Sequence, residues 1–246
     1  MQNYKLETYK FQNQKLELYA TPHLFAPNTV TTRFTRAIKG LEGATVFDIG
    51  TGMAPLAIWA SLEGASEVYA IDAVPEHIKV ARLNISKYDL EGKVHAYEGN
   101  IFSTPEGVLE GKKADIIMGD VSGIADKAAR ALGLYPPGVP TGGDDGTDVI
   151  MDLLENAPKY LAENGVLYFA IATGLSDDSK IMNVANKSFN SIEPLRETPQ
   201  LFPLADAEVK AINEAYNHSL PDFIKILEQR GRFGWQGQMY KASNPK

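Results

Sequence analysis

The 246-residue sequence contains no cysteine, which excludes disulfides, cysteine-ligated metal sites and thiol nucleophiles. Long apolar runs are also missing: the longest, residues 166–172, is far shorter than the roughly 20 residues that cross a bilayer. The first residues lack the basic-then-apolar order of a secretory signal, so we expect a cytoplasmic protein with no membrane partner. Basic residues are outnumbered, with 24 Lys and Arg against 31 Asp and Glu and a net charge of −7. This balance disfavours nucleic acid as a partner and favours a small molecule or a defined site on a protein.

The N-terminal residues 4–20 alternate apolar and polar side chains on either side of residues 12–14, a pattern that predicts a two-stranded hairpin. We assign residues 1–27 to this hairpin, expected to act as a lid, and residues 28–246 to one main domain. Asn28 is a predicted N-cap for the helix that follows.

The main domain alternates apolar strands with amphipathic helices, which predicts an α/β fold with a doubly wound, mostly parallel sheet. Two final strand-like runs separated by a tight turn predict an antiparallel C-terminal edge, making seven strands in all. The predicted strands are 44–49, 67–71, 93–97, 114–119, 165–172, 223–228 and 233–241. The predicted helices start after Asn28, at Pro55 and at Pro75, and cover about 147–162, 178–189 and 205–217. Residues 133–147, with three Pro and five Gly, are predicted to be irregular.

A glycine-containing turn follows the first strand of the main domain in the order Asp48-x-Gly50-x-Gly52-x-Ala54-Pro55. Glycines at such a turn let the backbone approach a ligand, and the N-terminus of the next helix presents free N–H groups. A dinucleotide-binding turn would place its third small residue where Pro55 stands, which disfavours a nicotinamide dehydrogenase.

The turn, with Ala54 as its third small residue, resembles the first motif of class I S-adenosylmethionine-dependent methyltransferases. The resemblance covers roughly residues 28–172 and implies a Rossmann-like fold, with S-adenosyl-L-methionine as cofactor, S-adenosyl-L-homocysteine as product and no metal. The implied cofactor-binding residues are Asp48 and the turn glycines Gly50 and Gly52 for the methionine part, and Asp72 for the ribose hydroxyls. Asn100 stands where the family commonly has an Asp facing the adenine, and its amide oxygen can still accept that hydrogen bond.

The wider sequence resembles the branch of protein-glutamine (release factor) N-methyltransferases, through the segments at 25–34, 142–148 and 153–165. That branch carries Asn or Asp, then Pro-Pro and an aromatic residue, after the fourth strand. Here Asp120 is followed by Val-Ser-Gly instead, so the clamp for a flat amide or base is missing.

Asp120 and Ser122 are therefore the predicted catalytic residues, with Asp120 also beside the cofactor and orienting the acceptor nitrogen. A structural alternative for Asp120 is to cap the following turn. His23 is a candidate general base, although a lone histidine is more often a surface residue. Phe25 and Tyr135 are candidate substrate-binding residues.

We interpret the sequence as an S-adenosylmethionine-dependent methyltransferase that N-methylates a small polar or cationic metabolite. Two alternatives stay open: a protein-glutamine or nucleic-acid N-methyltransferase, in which case the acceptor is a macromolecule, and a catalytically inactive cofactor-binding or scaffold protein. The basic and aromatic residues at 230–237 are interpreted as a hairpin turn, not an RNA-binding patch.

Overall fold

The structure, a computed structural model, describes residues 4–12, 14–197, 199–229 and 231–246, so Arg230 of the predicted C-terminal turn lies outside the described residues. The chain forms two compact units. The first comprises residues 1–120 and 156–168, and the second comprises residues 121–155 and 169–246. The predicted boundary between residues 27 and 28 falls inside the first unit. No helix among the described residues has the length and apolarity needed to span a membrane.

The first unit contains the N-terminal hairpin and most of the alternating strands and helices. Its elements are β1 (Lys5–Phe11), β2 (Gln14–Ala20), α1 (Thr29–Ala37), β3 (Thr45–Ile49), α2 (Pro55–Leu62), β4 (Glu67–Asp72), α3 (Pro75–Lys87), β5 (Val94–Glu98) and β6 (Ala114–Gly119). Strand β3 pairs in parallel with β4 and β6, and β4 pairs in parallel with β5. Every residue of β3 after Thr45 is buried, as expected for a parallel strand covered on both faces.

The second unit contains the remaining elements, with α5 and β7 divided between the two units. They are α4 (Asp126–Ala131), α5 (Asp148–Tyr160), β7 (Leu161–Thr173), α6 (Asp178–Ser188), β8 (Phe189–Pro194), β9 (Gln200–Leu204), α7 (Asp206–Ala215), β10 (Leu227–Gln229) and β11 (Arg232–Pro245). Strand β11 pairs antiparallel with β10, β8 and β9.

The predicted α/β class, the mostly parallel sheet, the hairpin and the antiparallel C-terminal edge are confirmed. Six of the seven predicted strands correspond to β3 to β7 and β11. The predicted strand 223–228 is mostly wrong, because only residues 227 and 228 belong to β10 and residues 223–226 are not in a strand. Strands β8 and β9 and the short helix α4 are not predicted by the sequence. Strand β9 contains Pro203, and β8 has only two apolar residues before it ends at Pro194, so neither shows the apolar alternation that predicts a strand. Both strands form by pairing with distant β11 residues, a contact that local sequence does not report.

The hairpin packs on the helices of the first unit. Strand β2 contacts α2 and α3, and β1 contacts α1. Four hairpin side chains are buried by this packing: Phe11, Leu16, Leu18 and Ala20. Ala20 also joins Leu24, Met53 and Val80 in one apolar cluster, so the end of the hairpin rests against the glycine turn. The predicted action of the hairpin as a lid stays a prediction.

Candidate functional site

Strand register brings the predicted site residues of the first unit to one edge of the sheet. Ile49 lies opposite Ile71 on one side and Gly119 on the other, and Asp72 lies opposite Glu98. The loops after β3, β4, β5 and β6 therefore begin at the same edge, the carboxyl end of the parallel strands. In open α/β sheets this edge is where ligands bind.

The glycine turn is held in an unusual backbone conformation. Gly50 and Gly52 have φ of 75° and 55°, and Ala54 has φ of 66°, in the left-handed region. The N–H groups of Gly50 and Thr51 both donate to the Ile71 carbonyl, at 2.9 and 3.0 Å. A Cβ built at Gly52 would have no heavy atom within 4 Å, so this side of the turn faces open space. Pro55 occupies the first position of α2, where a missing N–H costs nothing.

Asp48 is a fully buried carboxylate beneath this turn. Its Oδ2 accepts a 2.6 Å hydrogen bond from the Thr51 hydroxyl, whereas its Oδ1 accepts no hydrogen bond from the described residues. Burial raises the pKa of Asp48 to about 7, with smaller upward contributions from the charges of Asp120 and Asp72. The Thr51 hydroxyl and the backbone at Ala57 lower the pKa in part. A cation bound above the turn would stabilise the ionised form.

Asp72 is held by three donors. Its Oδ2 accepts from the Gly52 N–H at 2.8 Å, and its Oδ1 accepts from the Val74 N–H and the His77 Nδ1, both at 2.9 Å. The other ring nitrogen of His77, Nε2, lies 3.3 Å from the Phe25 N–H, which donates to it. Nε2 is thus an acceptor, so the proton of the neutral ring sits on Nδ1 and is donated to Asp72.

His77 was not among the residues singled out from the sequence. Its position five residues after Asp72, in the first turn of α3, is the one local signal that places the two side chains together. The helix buries His77 to 3% exposure, next to a carboxylate that is itself only 8% exposed. A histidine in such a place is held by tertiary contacts that composition and periodicity do not reveal.

Asp120 follows β6 and is partly exposed. Its Oδ2 accepts a 2.8 Å hydrogen bond from the hydroxyl of Thr31, a buried residue of α1. The same hydroxyl accepts from the Asn28 N–H, and Asn28 caps α1 as predicted, accepting from the Val30 and Thr31 amides. Partial burial of the carboxylate raises the pKa of Asp120 to about 6, against the lowering effect of the Thr31 hydroxyl. Asp120 is thus tied to α1.

Asn100 is exposed at the end of β5, in a turn where its N–H donates to the Ser103 carbonyl at 2.9 Å. The preceding Gly99 donates to the Asp72 carbonyl at 2.9 Å. A Cβ at Gly99 would meet the Ser103 carbonyl oxygen at 2.7 Å, so the close packing of this turn requires glycine. The Asn100 side chain is at the predicted edge, and its contact with adenine stays a prediction.

The other predicted residues are placed differently. His23 is exposed in the linker of residues 21–28 that connects β2 to α1, and Phe25 is half-buried there. Ser122 and Tyr135 belong to the second unit. In that unit the Ser122 hydroxyl donates to the Pro140 carbonyl at 2.8 Å, and Tyr135 packs on an apolar cluster that includes Ile124. Their catalytic and substrate-binding roles stay predictions.

The chain is similar to methyltransferases of known families. Residues 33–126, which contain the glycine turn and the three carboxylates, match the family described as Ribosomal protein L11 methyltransferase (PrmA). The release factor glutamine methyltransferase of Thermosynechococcus vestitus is 30% identical over 192 residues, 74% of this chain and 66% of that protein. The chain contains a class I methyltransferase domain. The resemblance seen in the sequence is thereby confirmed.

Further relatives of this methyltransferase domain agree. The L11 methyltransferase of Pelotomaculum thermopropionicum is 38% identical over 90 residues, 37% of this chain and 29% of that protein. The chain thus spans less than two thirds of the length of these curated relatives. Among solved structures, the T. thermophilus 16S rRNA N2 G1207 methyltransferase, in complex with AdoMet and guanosine, has a TM-score of 0.63 at 14% identity. That alignment covers 98% of this chain and 50% of that one, and it supports the fold alone.

Proposed function

We propose that this chain uses S-adenosylmethionine to methylate a nitrogen atom of a small polar or cationic acceptor, with Asp120 orienting the acceptor. The observation that carries the proposal is the meeting of three carboxylates, Asp48, Asp72 and Asp120, around an open glycine turn at one edge of the sheet. A ligand with positive charge and ribose hydroxyls suits this set of groups.

The residues of the edge fit the cofactor. Asp48 places a negative charge beneath the turn, with no hydrogen bond to its Oδ1 from the described residues, and this charge would attract the ammonium group of the methionine part without direct contact. The open side of Gly52 leaves space for the chain beside the turn. Asp72 has one acceptor position left after its three hydrogen bonds, enough for one ribose hydroxyl. Asn100 is exposed where the adenine amino group is expected.

When bound, S-adenosylmethionine supplies an electrophilic methyl group. Asp120 would hold the acceptor nitrogen by a charge-assisted hydrogen bond and receive its proton when the nitrogen is neutral. The raised pKa of Asp120, about 6, makes it a stronger base than an exposed carboxylate while leaving it mostly ionised at neutral pH. Thr31 fixes the orientation of the carboxylate by donating to its Oδ2.

A second candidate acceptor is a protein side chain. The names of the curated relatives, which refer to release factor glutamine and ribosomal protein L11, favour it. The substitution of Val121-Ser122-Gly123 for the Pro-Pro-aromatic clamp disfavours a flat amide and leaves an amine as the better acceptor for Asp120.

Calorimetry tests the cofactor first. The full chain should bind S-adenosylhomocysteine, Asp48→Asn should weaken binding at least tenfold, and Asp89→Asn, an exposed control, should not. Absence of binding by the full chain would refute the proposal. Methyl transfer from labelled cofactor to a panel of small amines, and to release factor and L11 protein, then decides the acceptor. Binding without turnover on any of them would support the scaffold alternative.

A further inference from the structure

We infer that His77 is a positioning residue that presents the Asp72 carboxylate to the cofactor ribose and connects it to the backbone of the linker at Phe25. The inference rests on the proposed function, since it concerns the same cofactor site. The connection is a continuous line of hydrogen bonds from the Phe25 N–H through both ring nitrogens of His77 to Asp72, and from Asp72 to the Gly52 N–H.

The hydrogen-bond donors around Asp72 indicate that His77 determines which carboxylate oxygen is left for the ribose. A carboxylate has about four acceptor positions, two on each oxygen. Val74 and His77 occupy both positions of Oδ1, and Gly52 occupies one position of Oδ2. The remaining acceptor position is therefore on Oδ2, beside the glycine turn. Without the His77 donor, Oδ1 would have a free position and the carboxylate could rotate so that no acceptor position faces the ribose.

The second arm of His77 reaches the linker. His77 Nε2 accepts from the Phe25 N–H and so holds the linker backbone against α3. The neighbouring Leu24 packs against Met53 of the glycine turn and Val80 of α3. A hydrogen bond through His77 thus joins the linker to Asp72, and an apolar contact joins it to the glycine turn. Both are expected to bind the cofactor. Because the line of bonds is buried, with His77 and Asp72 at 3% and 8% exposure, water is poorly placed to substitute for a lost partner.

Two substitutions separate the two hydrogen bonds of His77, the one to Asp72 and the one from Phe25. In His77→Asn the side-chain amide nitrogen takes the place of Nδ1, which keeps the donor to Asp72 and removes the acceptor for Phe25. In His77→Gln the amide oxygen reaches the place of Nε2, which keeps the acceptor for Phe25 and removes the donor to Asp72. His77→Leu removes both. His95→Asn is the control, because His95 lies on β5 and pairs with Glu67 at the strand surface.

The first readout is discrimination of the ribose. Calorimetry on the full chain compares S-adenosylhomocysteine with its 2′-deoxy analogue. The wild type and His77→Asn should prefer the hydroxylated ligand by about tenfold or more, as expected for a hydrogen bond to a charged group. In His77→Gln and His77→Leu the preference should fall to less than about threefold. If His77 had only a structural role, its substitution would weaken binding of both ligands equally and leave the ratio of their affinities unchanged. That result would overturn the inference.

The second readout is hydrogen exchange of the linker amides, with and without S-adenosylhomocysteine. Ligand binding should slow exchange at Phe25 in the wild type and in the His95→Asn control. In His77→Asn the ligand should still bind and the slowing should disappear. Retention of the slowing in this variant would overturn the connection to the linker. If the wild type binds no S-adenosylhomocysteine at all, the proposed function fails instead, so the two failures are distinguishable.

Discussion

Replacing Asp48 by Asn should make the cofactor-free protein more stable at alkaline pH while weakening cofactor binding. Asp48 is fully buried, and one of its oxygens accepts no hydrogen bond from the described residues. Its pKa is raised from 3.8 to about 7, which means that the folded protein holds the proton more tightly than the unfolded chain does. Stability contributed by the protonated group is therefore lost as pH rises from about 4 to 7.

The magnitude follows from the pKa shift of Asp48. About three pKa units at about 1.4 kcal/mol each correspond to roughly 4 kcal/mol of unfolding free energy lost between pH 4 and pH 8. Asn has nearly the same shape and no charge, so Asp48→Asn should not share this loss. Asp120 has a raised pKa in both proteins and gives the variant a weaker slope of the same sign.

Urea denaturation of wild type and Asp48→Asn between pH 4 and pH 8 measures the difference, with Asp89→Asn as the control at an exposed position. Equal pH dependence of the unfolding free energy in wild type and variant would refute the reasoning about burial. Calorimetry over the same range checks the link to binding. We propose that the ionised form of Asp48 attracts the ammonium group of the cofactor, so wild-type affinity should rise with pH up to about 7 and the variant should show a weaker dependence.

Three further changes test neighbouring contacts. Thr31→Val removes the hydroxyl that lowers the pKa of Asp120, so the acid limb of kcat/KM against pH should move to higher pH, whereas Thr32→Val should leave it in place. An unmoved limb would contradict the role of Thr31. Asn84→Ala removes the buried amide that bonds Tyr19 and the Met53 carbonyl, and urea denaturation should show a loss of about 2–4 kcal/mol, against little change for exposed Leu83→Ala. Ala54→Gly should relieve the positive φ and raise stability by up to about 1 kcal/mol; a clear loss of stability would show that Ala54 is unstrained.

The sequence predicts those parts of the site that depend on local pattern. Apolar strands that end at glycine or acidic residues predict the turn and the positions of Asp48, Asp72 and Asp120, and the resemblance to class I methyltransferases implies their roles. Parallel strands then bring these ends to one edge. The N-cap at Asn28 is likewise a local signal, and the structure confirms it.

The partners of these carboxylates are not predictable in the same way. Thr31 contacts Asp120 from 89 positions away, and His77 reaches Phe25 from 52 positions away. Such pairs depend on how α1 and α3 pack beside the sheet. No spacing of Thr or His residues in the sequence predicts these contacts. Strands β8 and β9 are not predictable for the same reason. Their extended conformation depends on pairing with β11 and is not encoded in their own residues.

The first unit is interrupted in the sequence by residues 121–155, so during synthesis its strand β7 emerges well after β6. Strand β6 lies between β3 and β7 in the sheet order, and β7 approaches so closely that a Cβ at Gly165 would meet the Ala114 carbonyl oxygen at 2.6 Å. On a ribosome adding 5–20 residues per second, the roughly 40 residues between these strands take about 2–8 s to emerge. Throughout that interval one edge of β6 has no neighbour and is open to pairing with other chains. A fragment ending at Asp120 would keep that edge permanently and should aggregate.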